Sequence, residues 1–224
     1  PLKETLAAAM VKLSHYNGRD PFCDPFCGSG TIAIEAALIA RNRAPGLNRS
    51  FAAQHWASLD KMLWLDAADE AMDKEFHGKY EIWGGDIDPD AVALAQHNAE
   101  LAEVDDIVKF EVDDATRFHW GGLYGRIVTN PPYIPRRELD GLMREVRDYE
   151  PRMALDGGEG GTELYAKFFA AFPRMLKPGG LLMAETAGAE QICSLVDMAS
   201  REFVLVNKIS DYNGIIRHVI WRKR

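Results

Sequence analysis

A short loop, Asn130-Pro131-Pro132-Tyr133, carries the residue types with the clearest chemical use in this chain. It ends an apolar run, because two consecutive prolines have no backbone N–H with which to continue a strand. The side-chain oxygen of Asn130 and the carbonyl of Pro131 are two acceptors that can hold both hydrogens of a planar NH₂ group. The Tyr133 ring offers a face on which a flat substrate can stack. The loop is therefore a candidate amine-binding site, and the alternative is a turn that only ends the strand.

An amine held in this loop has a defined chemical use. Its lone pair, freed from conjugation, can face an electrophile, and the stiff prolines keep the ordering entropy lost on binding small. A methyl group on a sulfonium is such an electrophile, and its in-line displacement needs positioning and polarisation more than a strong base. The loop thus predicts methyl transfer to a planar nitrogen, with Asn130, Pro131 and Tyr133 as the catalytic residues.

A glycine loop lies upstream in "DPFCGSGTIAIEA". Gly28 and Gly30 allow the backbone to approach a ligand closely, and a helix predicted to begin at Thr31 has unpaired N–H groups. The spacing also fits the G-x-G-x-x-A pattern of dinucleotide-binding proteins. However, Asp24 at the strand end would repel a pyrophosphate and suits a cationic or hydroxyl-bearing ligand. NAD is therefore the weaker alternative.

Two further acidic residues follow predicted strands. Asp86 ends the second strand, where an acid can accept both hydroxyls of a ribose. Its alternative role is to cap the helix that begins near Pro89, but Asp88 is the better cap because it directly precedes that proline. Asp114 follows the third strand and can accept a hydrogen bond from an adenine amino group, although a solvent-facing turn residue is an open alternative.

Strands alternate with helices along the chain, which predicts an α/β fold with a doubly wound, mostly parallel sheet. A terminal antiparallel hairpin is expected over 203–210 and 218–224. Ligands of such sheets bind at the carboxyl ends of the strands, where each motif above lies. The "DGGEGG" stretch, 156–161, is predicted to be a flexible connector. A helix is predicted over 161–180, closed by a Lys-Pro-Gly-Gly stop.

The composition suits one globular domain, with 224 residues of which 47% are hydrophobic. No run approaches the roughly 18 apolar residues of a membrane span, and no signal peptide opens the chain. Three cysteines predict a reducing, cytoplasmic compartment. Cys23 and Cys27 lack the second pair or nearby histidine of a metal site, so no metal is predicted. A net charge of −8 argues against strong nucleic-acid binding by this chain alone, unless the basic charge is local.

The pair of motifs "DPFCGSGT" and "NPPY" resembles the S-adenosylmethionine-dependent amino methyltransferases of the Rossmann-like class I fold. The resemblance implies S-adenosylmethionine rather than NAD, and a seven-stranded sheet with a terminal antiparallel strand. It implies that the methionine side is lined by Asp24, Gly28 and Gly30, the ribose by Asp86 and the adenine by Asp114. Neighbours expected in the same cofactor site are Phe26, Thr31, Ile87, Ala115 and Asn130.

Two parts of the chain resemble different subfamilies. Residues 1–130, with "DPFCGSGTIAIEAALIARNRAPGLNRSF", resemble the catalytic domain of THUMP-bearing RNA methyltransferases, which act on guanine N2 in ribosomal RNA. Residues 130–224, with "NPPYIPRRELDGLMREVRDYEP", resemble release-factor glutamine N5-methyltransferases. One domain is predicted over 1–224, with an insertion at 41–80. Neither the THUMP domain nor the helical N-terminal domain of the release-factor enzymes is recognised in it.

The preferred target is an RNA base amine, guanine N2 of ribosomal RNA, because that resemblance covers more of the chain and includes the insertion. Glutamine in a release factor is the alternative, since both groups present a planar, poorly nucleophilic NH₂. A flipped-out base would use Tyr133 and outer basic residues. A glutamine needs a narrower slot, which Glu150 and Pro151 could line, although a solvated loop is equally open. A non-catalytic binding module is the alternative of another class, and no oligomeric state is predicted.

Overall fold

Seven strands and eight helices lie within residues 2–116 and 122–224, the part of the chain that the computed structural model describes. The strands are β1 (Phe22–Asp24), β2 (Ile82–Asp86), β3 (Val108–Val112), β4 (Tyr124–Thr129), β5 (Leu176–Glu185), β6 (Phe203–Ser210) and β7 (Ile216–Lys223). The helices are α1 (Glu4–Leu13), α2 (Thr31–Arg41), α3 (Met62–Asp73), α4 (Pro89–Leu101), α5 (Arg144–Arg147), α6 (Arg152–Leu155), α7 (Glu163–Ala171) and α8 (Ala189–Ala199). Short 3₁₀ turns cover Ala52–His55, Arg136–Gly141 and Phe172–Arg174.

The strands form one sheet in the order β3-β2-β1-β4-β5-β7-β6. Strands β1 to β5 pair in parallel, and β7 runs antiparallel to both β5 and β6. The strand order reverses at β1, which has β2 on one side and β4 on the other. Sheets of this kind bind ligands at the carboxyl ends of the strands beside such a reversal. The predicted fold, a seven-stranded and mostly parallel sheet with a terminal antiparallel pair, is confirmed.

Helices cover both faces of the sheet and bury two apolar clusters. One cluster includes residues of α1, α2 and α4, and the other includes residues of α7 and α8. Along β7 the buried residues alternate, with Val219 and Trp221 in the second cluster and Ile220 in the first. Since successive side chains of a strand point to opposite faces, the two clusters lie on opposite sides of the sheet. Within the described residues, no helix has the length and apolar character needed to cross a membrane.

The helix predicted over 161–180 is wrong in its second half. Helix α7 ends at Ala171, and a 3₁₀ turn that contains Pro173 follows. Proline ends the helix because it lacks the N–H of the helical hydrogen bond and its ring clashes with the preceding turn. The Lys-Pro-Gly-Gly segment, 177–180, is not a helix stop. It lies within β5, where the register against β4 shifts as in a β-bulge.

The insertion at 41–80 forms a 3₁₀ turn and α3, and none of the α3 residues is buried. Its two ends are joined, because the Phe76 N–H donates to the Arg41 carbonyl over 2.7 Å and the Asn42 amide donates to the Lys74 carbonyl over 3.0 Å. Arg43 reinforces this junction through an ion pair with Glu75. The insertion therefore leaves and re-enters the domain at one point, ahead of β2.

We expect Gly30→Ala to lower the free energy of unfolding by roughly 2–4 kcal/mol, which is the combined cost of left-handed backbone strain and overpacking. Gly30 has a φ of 85°, and an added Cβ would lie 2.9 Å from the Ala95 Cβ and from the Phe110 ring. Gly28→Ala is the matched control, because its φ is 50° but no heavy atom lies within 4 Å of an added Cβ. Equal losses in urea unfolding would show that the contact with Ala95 and Phe110 contributes nothing.

Candidate active site

A cavity of about 780 Å³ opens at the carboxyl ends of the five parallel strands, β1 to β5. It is closed on the outer side by residues of α5, α6 and the segment between them. The predicted cofactor residues that line it are Asp24, Phe26, Gly28, Thr31, Asp86, Ile87, Asp114, Ala115 and Asn130. The structure thus brings together residues from four separate parts of the sequence in the crevice where the strand order reverses.

Three predicted site residues do not belong to the cavity wall as described. Gly30 packs against Ala95 and Phe110 instead of facing the ligand side, so its role is to let α2 begin close to α4. Pro131 is buried. The Tyr133 ring packs on the apolar cluster of α7 and α8, and its hydroxyl donates to Glu185 Oε1 over 3.1 Å. Sequence spacing placed these residues near the cavity but could not show the direction of their side chains.

Asp24, at the end of β1, is 1% exposed and only half satisfied. Its Oδ1 accepts from the Thr129 hydroxyl over 2.8 Å and from the Phe26 N–H over 3.2 Å. Its Oδ2 is buried and has no hydrogen-bond partner among the described residues. Burial raises the pKa of this carboxyl to about 7, against the opposing effect of the two hydrogen bonds. A donor or cation bound in the cavity would satisfy Oδ2.

Asp86 connects the glycine loop to the end of β2. Its Oδ2 accepts from the Gly28 N–H over 2.9 Å, and its Oδ1 accepts from the Asp88 N–H over 3.1 Å. Asp88 caps α4 by accepting from the Asp90 N–H over 2.9 Å, so the predicted assignment of the cap to Asp88 is confirmed. Each oxygen of Asp86 keeps a lone pair for a ligand hydroxyl.

Asp114 both closes a turn and lines the cavity. Its Oδ1 accepts from the Thr116 N–H over 2.8 Å and from the Thr116 hydroxyl over 2.7 Å. The turn and the cavity wall were alternatives from the sequence, and the structure shows both together. A contact between Asp114 and an adenine stays a prediction. Residues 117–121, which follow this turn, lie outside the described part of the chain.

The loop Asn130-Pro131-Pro132-Tyr133, called the amine loop from here on, packs against the segment 156–161, which was predicted to be a flexible connector. That prediction is wrong, because Gly157 and Gly161 are buried against Tyr133. A Cβ added at Gly157 would lie 2.8 Å from the Tyr133 backbone, and one at Gly161 would lie 2.5 Å from its carbonyl oxygen. The glycines of 156–161 therefore serve close backbone packing.

A glutamine on α8 completes this support. The Gln191 amide donates to the carbonyls of Tyr133 over 3.1 Å and Gly161 over 2.6 Å, and its oxygen accepts from the Ala187 N–H over 2.9 Å. On the other side, the Ile134 N–H donates to the Leu155 carbonyl over 3.1 Å. The amine loop is thus fixed by side-chain and backbone hydrogen bonds as well as by its prolines.

The outer wall of the cavity comes from the segment 144–155. Glu150 and Pro151, the residues predicted to form a slot, do line the cavity. The arginines of this segment are largely paired, since Arg144 and Arg147 both contact Asp148. This outer wall is therefore not a broad basic surface, because acidic residues are interleaved with its arginines.

Glu185 is the cavity residue that the sequence analysis missed. Glu185 is the last residue of β5, its carboxylate accepts a hydrogen bond from the Tyr133 hydroxyl, and it lines the same cavity as Asn130. A signal was present, because an acid directly after the apolar run "LLMA" repeats the pattern already used for Asp24 and Asp86. Thr129 was also missed, since a buried hydroxyl at a strand end has no distinctive sequence pattern.

The cysteine pair gives no sign of a metal centre. Cys23 and Cys27 are buried free thiols, and burial raises the pKa of both. Among the described residues there is no group of three or more histidine, cysteine, aspartate or glutamate side chains that could hold a metal ion.

Residues 1–145 match the model of the UPF0020 family, described as an RMKL-like methyltransferase domain. The chain belongs to this family. The matched region begins ahead of the glycine loop and extends past the amine loop, so it contains both motifs of the cavity.

Two bacterial proteins are similar in sequence to this chain. The chain is 46% identical over 137 residues to the "Putative RNA methyltransferase YpsC" of Bacillus subtilis (strain 168), covering 61% of this chain and 36% of that protein. It is 44% identical over 142 residues to the ribosomal RNA large subunit methyltransferase K/L of Shewanella baltica (strain OS185), covering 61% of this chain and 20% of that protein. The chain therefore spans little more than a third, or less, of these relatives.

A solved structure resembles the whole domain. SMU.472, described as a putative methyltransferase complexed with SAH, superposes with a TM-score of 0.76 at 28% identity, over 100% of this chain and 52% of that one. The predicted enzyme class, an S-adenosylmethionine-dependent methyltransferase, is confirmed, and the NAD alternative is set aside. The resemblance of residues 130–224 to release-factor enzymes stays a prediction.

We expect Asp24→Asn to weaken binding of S-adenosylhomocysteine by about 10- to 100-fold, the usual cost of losing a charge-assisted hydrogen bond. The asparagine keeps the Oδ1 acceptor for Thr129 and Phe26 but removes the charge that faces a ligand ammonium. Calorimetry from pH 6 to 8 measures the effect.

The pH dependence gives a second readout of the same change. Because the pKa of Asp24 is raised to about 7, lowering the pH protonates it, so affinity should fall toward pH 6 in the unaltered protein and stay flat in the variant. A raised pKa means that the buried Asp24 carboxylate destabilises the fold at any pH above that pKa. At pH 8 the asparagine variant, which lacks this charge, should therefore unfold at the same or a higher temperature than the unaltered protein. Unchanged affinity would exclude Asp24 from the cofactor site.

Proposed function

We propose that this domain transfers a methyl group from S-adenosylmethionine to the exocyclic amine of an RNA base, with guanine N2 of ribosomal RNA as the target. One observation carries the proposal: Asn130 lines the same cavity as Asp24 and Asp86. The Asn130 side chain makes no hydrogen bond within the described part of the chain. An unpaired amide beside two acids that suit a cationic nucleoside is what amine methylation requires.

The cavity fits the methyl donor in size and in charge. Its volume of about 780 Å³ lies within the range of small-molecule sites. The buried, unpaired Oδ2 of Asp24 complements the ammonium of the methionine part, and the remaining lone pairs of Asp86 suit the ribose hydroxyls. We assign the contact with the adenine amino group to Asp114, because it lines the same cavity. Bound there, S-adenosylmethionine supplies an electrophilic methyl carbon carried by a sulfonium.

The chain's own contribution to the chemistry is to hold and orient the amine. The Asn130 oxygen and the Pro131 carbonyl accept its two hydrogens, which turns the nitrogen lone pair toward the bound donor. Pro132 lines the cavity and offers flat apolar surface to a base, whereas stacking of the base on Tyr133, whose ring packs toward α7 and α8, stays a prediction. The proton that the nitrogen loses after transfer goes to water.

The choice of RNA rests on the named relatives and on the resemblance of residues 1–130. The Bacillus and Shewanella proteins are named RNA and ribosomal RNA methyltransferases, and both are much longer than this chain. The net charge of −8 and the paired arginines of 144–155 provide little attraction for phosphates. We therefore assign to this domain the chemistry and the recognition of the base, and not the bulk of the RNA affinity.

A glutamine side chain in a release factor is the second candidate. Glu150 and Pro151 line the cavity, as a narrower amide slot would require. A primary amide presents the same planar NH₂ to Asn130, so the chemistry is unchanged and only the surroundings of the amine differ.

We expect Asn130→Ala to lower methyl transfer by roughly 10²- to 10³-fold, the cost of removing one polar group that acts on the reacting centre. Affinity for S-adenosylhomocysteine should change less than threefold, because the acids that hold the cofactor remain. Tritiated-methyl transfer to bulk ribosomal RNA, and in parallel to purified release factor, measures the effect. Asn207→Ala, on the exposed face of β6, is the control.

Each outcome of that assay has a distinct meaning. Label in RNA supports the leading target, and label only in release factor moves the target to glutamine. Full turnover by the Asn130 variant would remove the amide from the mechanism. Label in neither substrate with the unaltered domain would refute catalysis on both and favour a binding module.

A further inference from the structure

Glu185 carries an unexplained polar atom beside the amine site. Its Oε1 accepts from the Tyr133 hydroxyl over 3.1 Å, and its backbone carbonyl accepts from the Tyr165 hydroxyl. Its Oε2 is buried and has no hydrogen-bond partner among the described residues, yet the residue lines the cavity. A buried oxygen without a donor costs about 1–3 kcal/mol, so this arrangement is unfavourable unless a ligand completes it.

The groups around Glu185 do not supply that missing donor. Tyr133 and Tyr165 bind its other acceptors, and Arg217 forms an ion pair with Asp211 at 3.1 Å. His218 pairs with Glu185 in the register of β5 and β7, but its buried Nε2 and Glu185 Oε2 both lack a hydrogen-bond partner among the described residues, so His218 is not the donor. Burial lowers the pKa of His218 to about 4, so it also brings no positive charge to the carboxylate near pH 7. Burial likewise raises the pKa of Glu185, as expected for a carboxyl that lacks a donor.

The candidate targets differ in the atom next to the reacting amine. Guanine places the N1–H donor beside its 2-amino group. Adenine places an N1 acceptor without hydrogen beside its 6-amino group, and a glutamine amide places its carbonyl oxygen there. A carboxylate oxygen accepts hydrogen bonds and repels other acceptors, so an anionic Glu185 would favour guanine alone.

We propose that Glu185 determines specificity, with its Oε2 accepting the N1–H of guanine while Asn130 holds the adjacent 2-amino group. Its Oε1 fixes Tyr133 through the phenol hydroxyl, so one carboxylate positions both the ring and the base. This inference rests on the proposed transfer to guanine N2 and adds the residue that selects guanine over adenine. It also gives a role to a third strand-end acid in a cavity that already has Asp24 and Asp86.

The test compares guanosine with 2-aminopurine riboside, which keeps the 2-amino group but has an N1 acceptor without hydrogen. Nuclear magnetic resonance titration of the domain saturated with S-adenosylhomocysteine measures both affinities. The unaltered domain should prefer guanosine by about 10- to 100-fold, the value of one charge-assisted hydrogen bond. Glu185→Gln keeps an oxygen acceptor for Tyr133 but places an NH₂ donor at the second position, so the preference should vanish or reverse.

Two further variants separate selection from a general structural effect. Glu185→Asp keeps the carboxylate and should retain a preference for guanosine at reduced affinity. Tyr133→Phe removes the donor to Oε1 and should weaken both nucleosides alike while leaving their ratio unchanged. Thermal unfolding checks that each variant is folded. If Glu185→Gln does not fold, the guanosine preference of Glu185→Asp is the result that tests the inference.

The result also separates this inference from the proposed function. If the domain labels guanine in RNA but Glu185→Gln keeps the full preference for guanosine, then Glu185 does not select the base and the function stands. A domain that shows no preference before mutation overturns the inference directly. Absence of both RNA labelling and guanosine binding overturns the function together with it.

Discussion

One buried hydrogen bond couples the two loops on which this site depends. The Thr129 hydroxyl donates to Asp24 Oδ1 over 2.8 Å, and both residues are at most 1% exposed. Asp24 opens the glycine loop, and Thr129 directly precedes Asn130, so this contact sets the distance between the glycine loop and the amine loop. A hydrogen bond to a charged group contributes about 1.5–3 kcal/mol, part of which offsets the cost of burying the carboxylate.

The same arrangement recurs at three strand ends, with consequences for stability. Asp24, Asp86 and Glu185 each have at least one oxygen held by the chain, which fixes the direction of the carboxylate. Asp24 and Glu185 each leave one buried oxygen without a partner in the described structure. Such atoms destabilise the protein without its ligands and strengthen binding to a donor-rich molecule, which is the usual exchange of stability for function at a site.

The sequence was sufficient for the features that depend on periodicity and on strand ends. Alternating strands and helices predicted the sheet, and acids or glycines after apolar runs located most of the cavity. The sequence was not sufficient for features that depend on side-chain direction or on close packing between distant segments. Tyr133 packs toward α7 and α8, and the glycines of 156–161 pack on its backbone. The sequence did not predict these contacts, because the local spacing of residues specifies neither side-chain direction nor tertiary contact. Glu185 was overlooked although it obeys the rule that found Asp24.

The charges of the cavity indicate how a nucleic-acid target would be recognised here. Two buried carboxylate oxygens that line the cavity, Asp24 Oδ2 and Glu185 Oε2, are acceptors without a partner among the described residues, whereas Arg144 and Arg147 both contact Asp148. Acceptors bind N–H groups of bases and repel phosphates, so under the proposed function this cavity would contact the base and not the backbone. The rigid support of the amine loop by Gln191 and Gly157 strengthens that selection, because a fixed acceptor cannot move to accommodate a base with the wrong hydrogen-bonding edge.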